Sequence, residues 1–162
     1  LGFDVRDHWI NQAKFLRDNL PGRRDVIRFE QCDLLEADKL IGEERFDICL
    51  FKGIFYHLPD PINSLALVAN RTNEVLIFDT AATIGEKDGF LKLYTEGTEN
   101  PMSGVHELAW LPTGPEVAKG ILNWLGFPAT RLIFWKQPVG QVFGRLRIVA
   151  ARNHELLQSM PD

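Results

Sequence analysis

The order of apolar segments in this 162-residue chain predicts an α/β fold: a mostly parallel sheet closed by an antiparallel C-terminal hairpin. Three observations predict it. The runs Ile48-Cys49-Leu50-Phe51 and Val75-Leu76-Ile77-Phe78 are too short for free-standing helices and read as buried strands. Segments of helical spacing separate the early strands, as in βαβ units. The last two apolar runs are joined instead through Gly140 and Gly144, the mark of a hairpin.

Each element has a local reason. Residues 1–4 close a strand, and Asp7 is placed to cap a helix. Its Trp9, Ala13, Leu16 and Leu20 recur at helical spacing and are expected to pack on the sheet, until Pro21-Gly22 stops the pattern. Residues 26–32 read as the next strand, ending at Asp33-Leu34, and residues 36–45 as a polar, partly helical link. The strand from Phe46 breaks at Lys52-Gly53 into the aromatic cluster Ile54-Phe55-Tyr56-His57. Asp60-Pro61 then supplies the cap and first turn of a helix carrying Ile62, Leu65, Ala66 and Ala69 on one face. Residues 74–80 form a strand.

Between Ala81 and Leu111 periodicity fails. Gly85, Gly89, Gly97, Pro101 and Gly104 mark an irregular excursion of a length that usually serves function. Phe90, Leu91, Leu93 and Tyr94 predict that it is ordered, with a helical turn or two, so residues 81–112 are expected as a lid or acceptor-binding excursion. Thr113 and Glu116 have the spacing of a capping box. The helix they start should bury Val117, Ile121, Trp124 and Leu125 and end at Gly126. Strands at 130–135 and 144–151 form the hairpin. Residues 1–152 are then one domain, without internal repeat, and residues 153–162 a flexible tail.

Composition is that of a soluble globular protein, and the net charge of −4 gives no general attraction to nucleic acid or anionic membrane. A local basic face is still open, since Arg131, Lys136, Arg145, Arg147 and Arg152 crowd the end of the chain. No apolar run approaches the ~20 residues that span a bilayer. Cys32 and Cys49 read as two reduced thiols of a cytoplasmic protein, and no Cys/His spacing suggests a metal site.

Chemistry is expected at the carboxyl ends of the strands, where open α/β sheets bind ligands. Asp4, Asp33 and Asp79 stand there, and carboxylates accept hydrogen bonds well from ribose hydroxyls and an adenine amino group. Each also has a plain structural reading as a cap or turn residue. His57 is suited to take a proton near pH 7, or equally to cap the helix entry. Tyr56 could cover a sulfonium through its ring face or simply pack. His106-Glu107 is a second base candidate that reads more readily as solvated loop. Trp110 lines an acceptor pocket or packs beside the helix start.

Together these pieces resemble the class I S-adenosylmethionine-dependent methyltransferases. The resemblance rests on GFDVRDHWINQAKF, FEQCDLLE, FDICLFKGIFYHLPDP, EVLIFDT and the closing LNWLGF before two strands. It implies a Rossmann-like sheet and S-adenosylmethionine as cofactor. It further implies that Asp4, with Val5 beside it, holds the ribose, that Asp33 and Leu34 meet the adenine, and that Lys52 and Gly53 turn near the methionine part. Tyr56 and His57 would face the acceptor. The family's first strand and Gly-rich loop would precede Leu1, so the sheet is expected to lack its first strand in this chain. Within the superfamily, GIFYHLPDP and ELAWLPTGPEVAKGILNWLGF are most similar to the group related to tRNA wobble-uridine carboxymethyl-transferring enzymes. Leu58-Pro59-Asp60 stands where that group has a basic residue, so its carboxylated cofactor is not carried over. The resulting expectation is methyl transfer to a small-molecule or sugar hydroxyl, with an oligomer left open. Alternatives are a tRNA-modifying transferase, which an acidic chain disfavours, and an inactive methyltransferase-like binding module.

Overall fold

The computed structural model describes residues 1–97 and 103–161. The chain divides into two compact units, 1–44 and 45–162.

In the first unit, β1 (Gly2–Asp4) pairs in parallel with β2 (Phe29–Gln31), and α1 (Asp7–Asn19) connects them. Strand β2 is shorter than the 26–32 expected: residues 24–26 form a turn, tied by Val26 N donating to Arg23 O at 3.3 Å. Asp7 is the first residue of α1 rather than its cap, and its charge suits that end of the helix dipole. Ile10 is the buried residue of α1, whereas Leu16 and Leu20 are exposed. A 3-10 turn at Leu34–Glu36 and the short α2 (Ala37–Ile41) complete the unit.

The second unit is built on a four-stranded sheet of order β3-β4-β8-β7. Strands β3 (Phe46–Lys52) and β4 (Thr72–Ala82) are parallel, linked by α3 (Pro61–Arg71). Strands β7 (Ala129–Lys136) and β8 (Gly144–Ala151) form the antiparallel finish that the sequence predicts. Helix α3 starts as read, with Asp60 Oδ1 accepting from Asn63 N at 3.2 Å and Pro61 in the first turn.

One face of this sheet is a dry core. Leu76, Phe78, Leu146, Ile148 and Ala150 alternate onto it and are almost fully buried. Phe78 stacks near Phe51, with centroids 6.3 Å apart, and meets Phe55 edge-on at 5.1 Å. Leu65 of α3 and Ala118 and Ile121 of α4 (Pro115–Trp124) close over that cluster.

Three expectations fail here, each for a physical reason. Helix α4 buries Ala118 and Leu122, while Trp124 is 72% exposed. Ala118 is small enough to sit against the core cluster and Leu122 fills the space beside it, so the bulky indole stays outside. Its cap is neither Thr113 nor Glu116. Asp88, 28 residues away, accepts from Glu116 N at 2.8 Å and Val117 N at 3.2 Å, while the Thr113 hydroxyl is bonded to the Phe90 backbone. A Cβ on Gly114 would lie 2.3 Å from the Asp88 carboxyl, so glycine is what admits this remote cap. The excursion is a β-ribbon rather than helical turns. Strands β5 (Leu91–Thr95) and β6 (Leu108–Pro112) pair antiparallel, because Leu91, Leu93 and Thr95 alternate with Lys92 and Tyr94 at strand period. Pro101, expected as part of the excursion, lies outside the described residues.

The segment expected as a flexible tail carries α5 (His154–Ser159). Asn153 caps it through Leu156 N at 2.8 Å, and Leu157 joins Val75, Ala129 and Ala151 in a satellite cluster. Two of the late arginines serve helix ends. Arg131 donates to Leu157 O, Met160 O and Pro161 O, and Arg152 to Ala69 O, Thr72 O, Leu125 O and Gly126 O.

Candidate functional site

In the first unit the two predicted acidic residues stand at the same end of the parallel pair. Asp4 ends β1, and its Oδ1 accepts from Arg6 N at 2.8 Å; Cys32 N donates to Asp4 O at 3.0 Å, carrying the ladder to the end of β2. Asp33 follows there, with Oδ1 accepting from Leu35 N at 2.9 Å. Each carboxylate is thus oriented through one oxygen. Val5 is exposed, with its carbonyl accepting from Gln31 Nε2 at 3.0 Å; the Leu34 side chain is buried.

In the second unit, β3 ends at Lys52 because Gly53 adopts φ +74°, a left-handed turn that favours glycine. Gly53 N donates to Asp79 O at 2.8 Å, tying the turn back onto β4. The chain then winds through a 3-10 turn, Phe55–His57. Phe55 drives into the dry core and levers Tyr56 and His57 to the other side, with their ring centroids 3.8 Å apart.

Strand β6 packs against this turn, and the β-ribbon delivers the partner of His57. His57 Nδ1 is 2.7 Å from Glu96 Oε2, and the same oxygen accepts from Gly104 N at 2.9 Å. A Cβ on Gly104 would lie 2.6 Å from His57 Cβ, so the ribbon backbone presses against the histidine at a glycine. Both side chains are largely shielded, which strengthens the pair relative to a surface one. Glu96 was not legible as a site residue; the only hint was its place in an excursion of functional length. His106 and Glu107, the alternative base pair, lie in the turn before β6. Trp110 is on β6 with its indole Nε1 buried and unpartnered among the described residues.

Next to Tyr56 lies a charged cluster. Asp79, expected at a strand end, lies inside β4, which runs on to Ala82, and is fully buried. It accepts from Arg145 Nε and from Arg147 Nε, each at 2.6 Å. Burial pushes the Tyr56 phenol up from its ordinary range, and the Arg145 guanidinium beside it works partly against that rise. Tyr56 is therefore a neutral hydrogen-bonding group at physiological pH rather than a base. The cluster makes Asp79 a structural and electrostatic centre instead of a cap or turn residue.

The predicted residues therefore fall into two sets: Asp4, Val5, Asp33 and Leu34 in the first unit, Lys52, Gly53, Tyr56 and His57 in the second. Among the described residues no group of His, Cys, Asp and Glu is arranged to hold a metal ion, and no helix is long and apolar enough to cross a membrane. Cys32 and Cys49 are free thiols.

No family model matches the chain, and no curated protein is similar to it in sequence. Its fold does match solved structures. The N-terminal domain of EvdMO1, determined with S-adenosylhomocysteine (SAH) bound, aligns with TM-score 0.74 at 19% identity, over 94% of this chain and 64% of that one. Magnesium protoporphyrin IX methyltransferase from Synechocystis PCC 6803, with bound S-adenosylmethionine, gives 0.59 at 13% identity over 94% and 58%. The 1,6-didemethyltoxoflavin-N1-methyltransferase of Burkholderia thailandensis, bound to its substrate and SAH, gives 0.57 at 24% identity over 92% and 59%. The chain spans less than two thirds of the length of each of these structures. It has the Rossmann-like fold of the methyltransferases, an α/β architecture with an antiparallel finish.

Proposed function

We propose that the chain is part of an S-adenosylmethionine-dependent methyltransferase that acts on a hydroxyl of a small molecule or sugar. The observation that carries the reading is the shielded His57–Glu96 pair at the carboxyl end of β3. The fold likeness to structures holding S-adenosylmethionine or SAH supports the cofactor. So does the donor chemistry in the first unit. Two carboxylates at neighbouring strand ends, each with one oxygen committed to the backbone, suit a ligand that donates through ribose hydroxyls and an amino group. Asp4 and Asp33 would hold those groups. When bound, the cofactor supplies an electrophilic methyl group on a sulfonium.

The chain's own residues supply positioning and proton transfer. With Nδ1 bonded to Glu96, His57 has the tautomer in which Nε2 accepts a proton. It takes the hydroxyl proton of the acceptor as that oxygen gains the methyl group, and Glu96 stabilises the imidazolium that results. Tyr56 stays neutral and orients the acceptor through its hydroxyl or ring. Of the late basic residues, Arg131 and Arg152 serve helix ends and Arg145 and Arg147 bond Asp79, which supports a small acceptor over the tRNA alternative.

Calorimetry of the full-length protein with SAH tests the reading against an inactive binding module. Saturable binding that Asp4→Ala weakens at least tenfold is expected, and absence of binding sinks the proposal. Glu96→Gln should then move the NMR titration midpoint of His57 to lower pH, since a carboxylate at hydrogen-bond distance favours the imidazolium. An unmoved midpoint would remove Glu96 from the mechanism.

A further inference from the structure

The cluster around Asp79 holds more positive charge than its own pairing requires. Asp79 is one carboxylate facing two guanidiniums, and Lys52 is its register partner on β3, on the same side of the sheet. Lys136 pairs in register with Arg145 on the far side, its ammonium 5.1 Å from the Phe134 ring. Four cations thus line one end of the β3-β4-β8-β7 sheet. Among the described residues, Asp79 is the carboxylate that bonds these arginines. This happens in a chain of net charge −4, so overall composition does not account for it.

The geometry separates the anchoring from the open part of the cluster. Arg145 engages Asp79 through both Nε and Nη2, the latter at 2.5 Å. Arg147 uses Nε alone, and among the described residues its terminal nitrogens have no hydrogen-bond partner. Its side chain is 43% exposed, whereas Asp79 is fully buried. A guanidinium fixed through Nε by a buried carboxylate presents its remaining N–H groups in a set direction. That is the arrangement which binds an oxyanion with little ordering cost. The Tyr56 hydroxyl, kept protonated, stands beside Arg145 as a further donor.

We propose that Arg147 and Lys52, framed by Asp79 and Arg145, bind an oxyanion, the carboxylate or phosphate group of the acceptor. The methyl-transfer reading is needed to identify the ligand as the acceptor; the anion site itself stands without it. The site would select acidic acceptors over neutral ones and hold them beside the Tyr56-His57 turn.

Inorganic phosphate and, separately, acetate are titrated into the full-length protein at constant ionic strength. The arginine Nε–H resonances, assigned through Arg145→Lys and Arg147→Lys, are followed by NMR. Saturable shifts at Arg147 are expected with at least one anion, weakened at least tenfold in Arg147→Gln and unchanged in the remote Lys119→Gln. The tighter anion identifies the acceptor class. Shifts that never saturate with either anion, or saturation that Arg147→Gln leaves intact, overturn the proposal. Should Arg147→Gln not fold, Lys52→Gln at its exposed position decides, with at least threefold weakening expected and no change counting against the site. SAH calorimetry on the same sample keeps the two readings apart. Binding of either anion without SAH binding sinks methyl transfer alone, and SAH binding without binding of either anion sinks the anion site alone.

Discussion

The two faces of β8 are made from alternate residues of one strand yet obey different physics. Leu146 and Ile148 point into the dry core, where Phe78, Phe51 and Phe55 interlock. Arg145 and Arg147 point the other way and converge on Asp79, 66 and 68 residues distant in sequence. The first face needs only the right volume of apolar atoms, and its cost of disruption is a cavity. The second needs particular atoms at particular distances, and its cost of disruption is an uncompensated charge.

The largest effect should come from the dry face. Phe78→Ala removes a fully buried ring in contact with two others and should cost about 3–5 kcal/mol, measured by urea unfolding. A loss below about 1 kcal/mol would mean that the core is not built on this aromatic cluster. The polar face is tested by Asp79→Asn, which keeps the volume and deletes the charge. A fully buried pair broken in this way costs about 3–5 kcal/mol. Here the arginines are 30% and 43% exposed and regain water, so about 2 kcal/mol is expected. If Asp79→Asn cost as much as Phe78→Ala, the two faces would not differ in the way argued above.

The same contrast explains what was legible in the sequence. Apolar period gives β3, β7 and β8 nearly to the residue and β4 to within two residues at each end, since burial leaves its pattern locally. The Asp60 cap and the Gly53 break are also local signals, and both are present in the fold. Pairings across long sequence separations left no such pattern. The capping box at Thr113 was locally plausible but lost to Asp88, which reaches α4 from another loop. The flanking glycines make the ribbon β5-β6 look irregular in the sequence, although its strands alternate. His57 and Tyr56 could be singled out as chemistry-bearing, but Glu96 could not, because only the folded ribbon brings it to 2.7 Å.

The smallest effect lies where the two faces meet, at Tyr56. Burial raises its phenol pKa in the folded protein, so the folded chain holds the proton after the unfolded chain, at about pH 10, has begun to release it. The unfolded state then binds fewer protons and stability falls as pH rises. The contribution is complete below the unfolded value and is lost as pH climbs through the folded one. Cys49, raised chiefly by burial, adds a similar loss that begins nearer pH ~8.5. Tyr56→Phe should therefore be close to neutral at pH ~7 and lose less stability than the wild type between pH ~9 and ~11, with the Cys49 share retained. Urea midpoints across that range measure the difference. Parallel curves for the two proteins would show that the Tyr56 hydroxyl is hydrated, and that the polar face begins at Tyr56 rather than at Arg145.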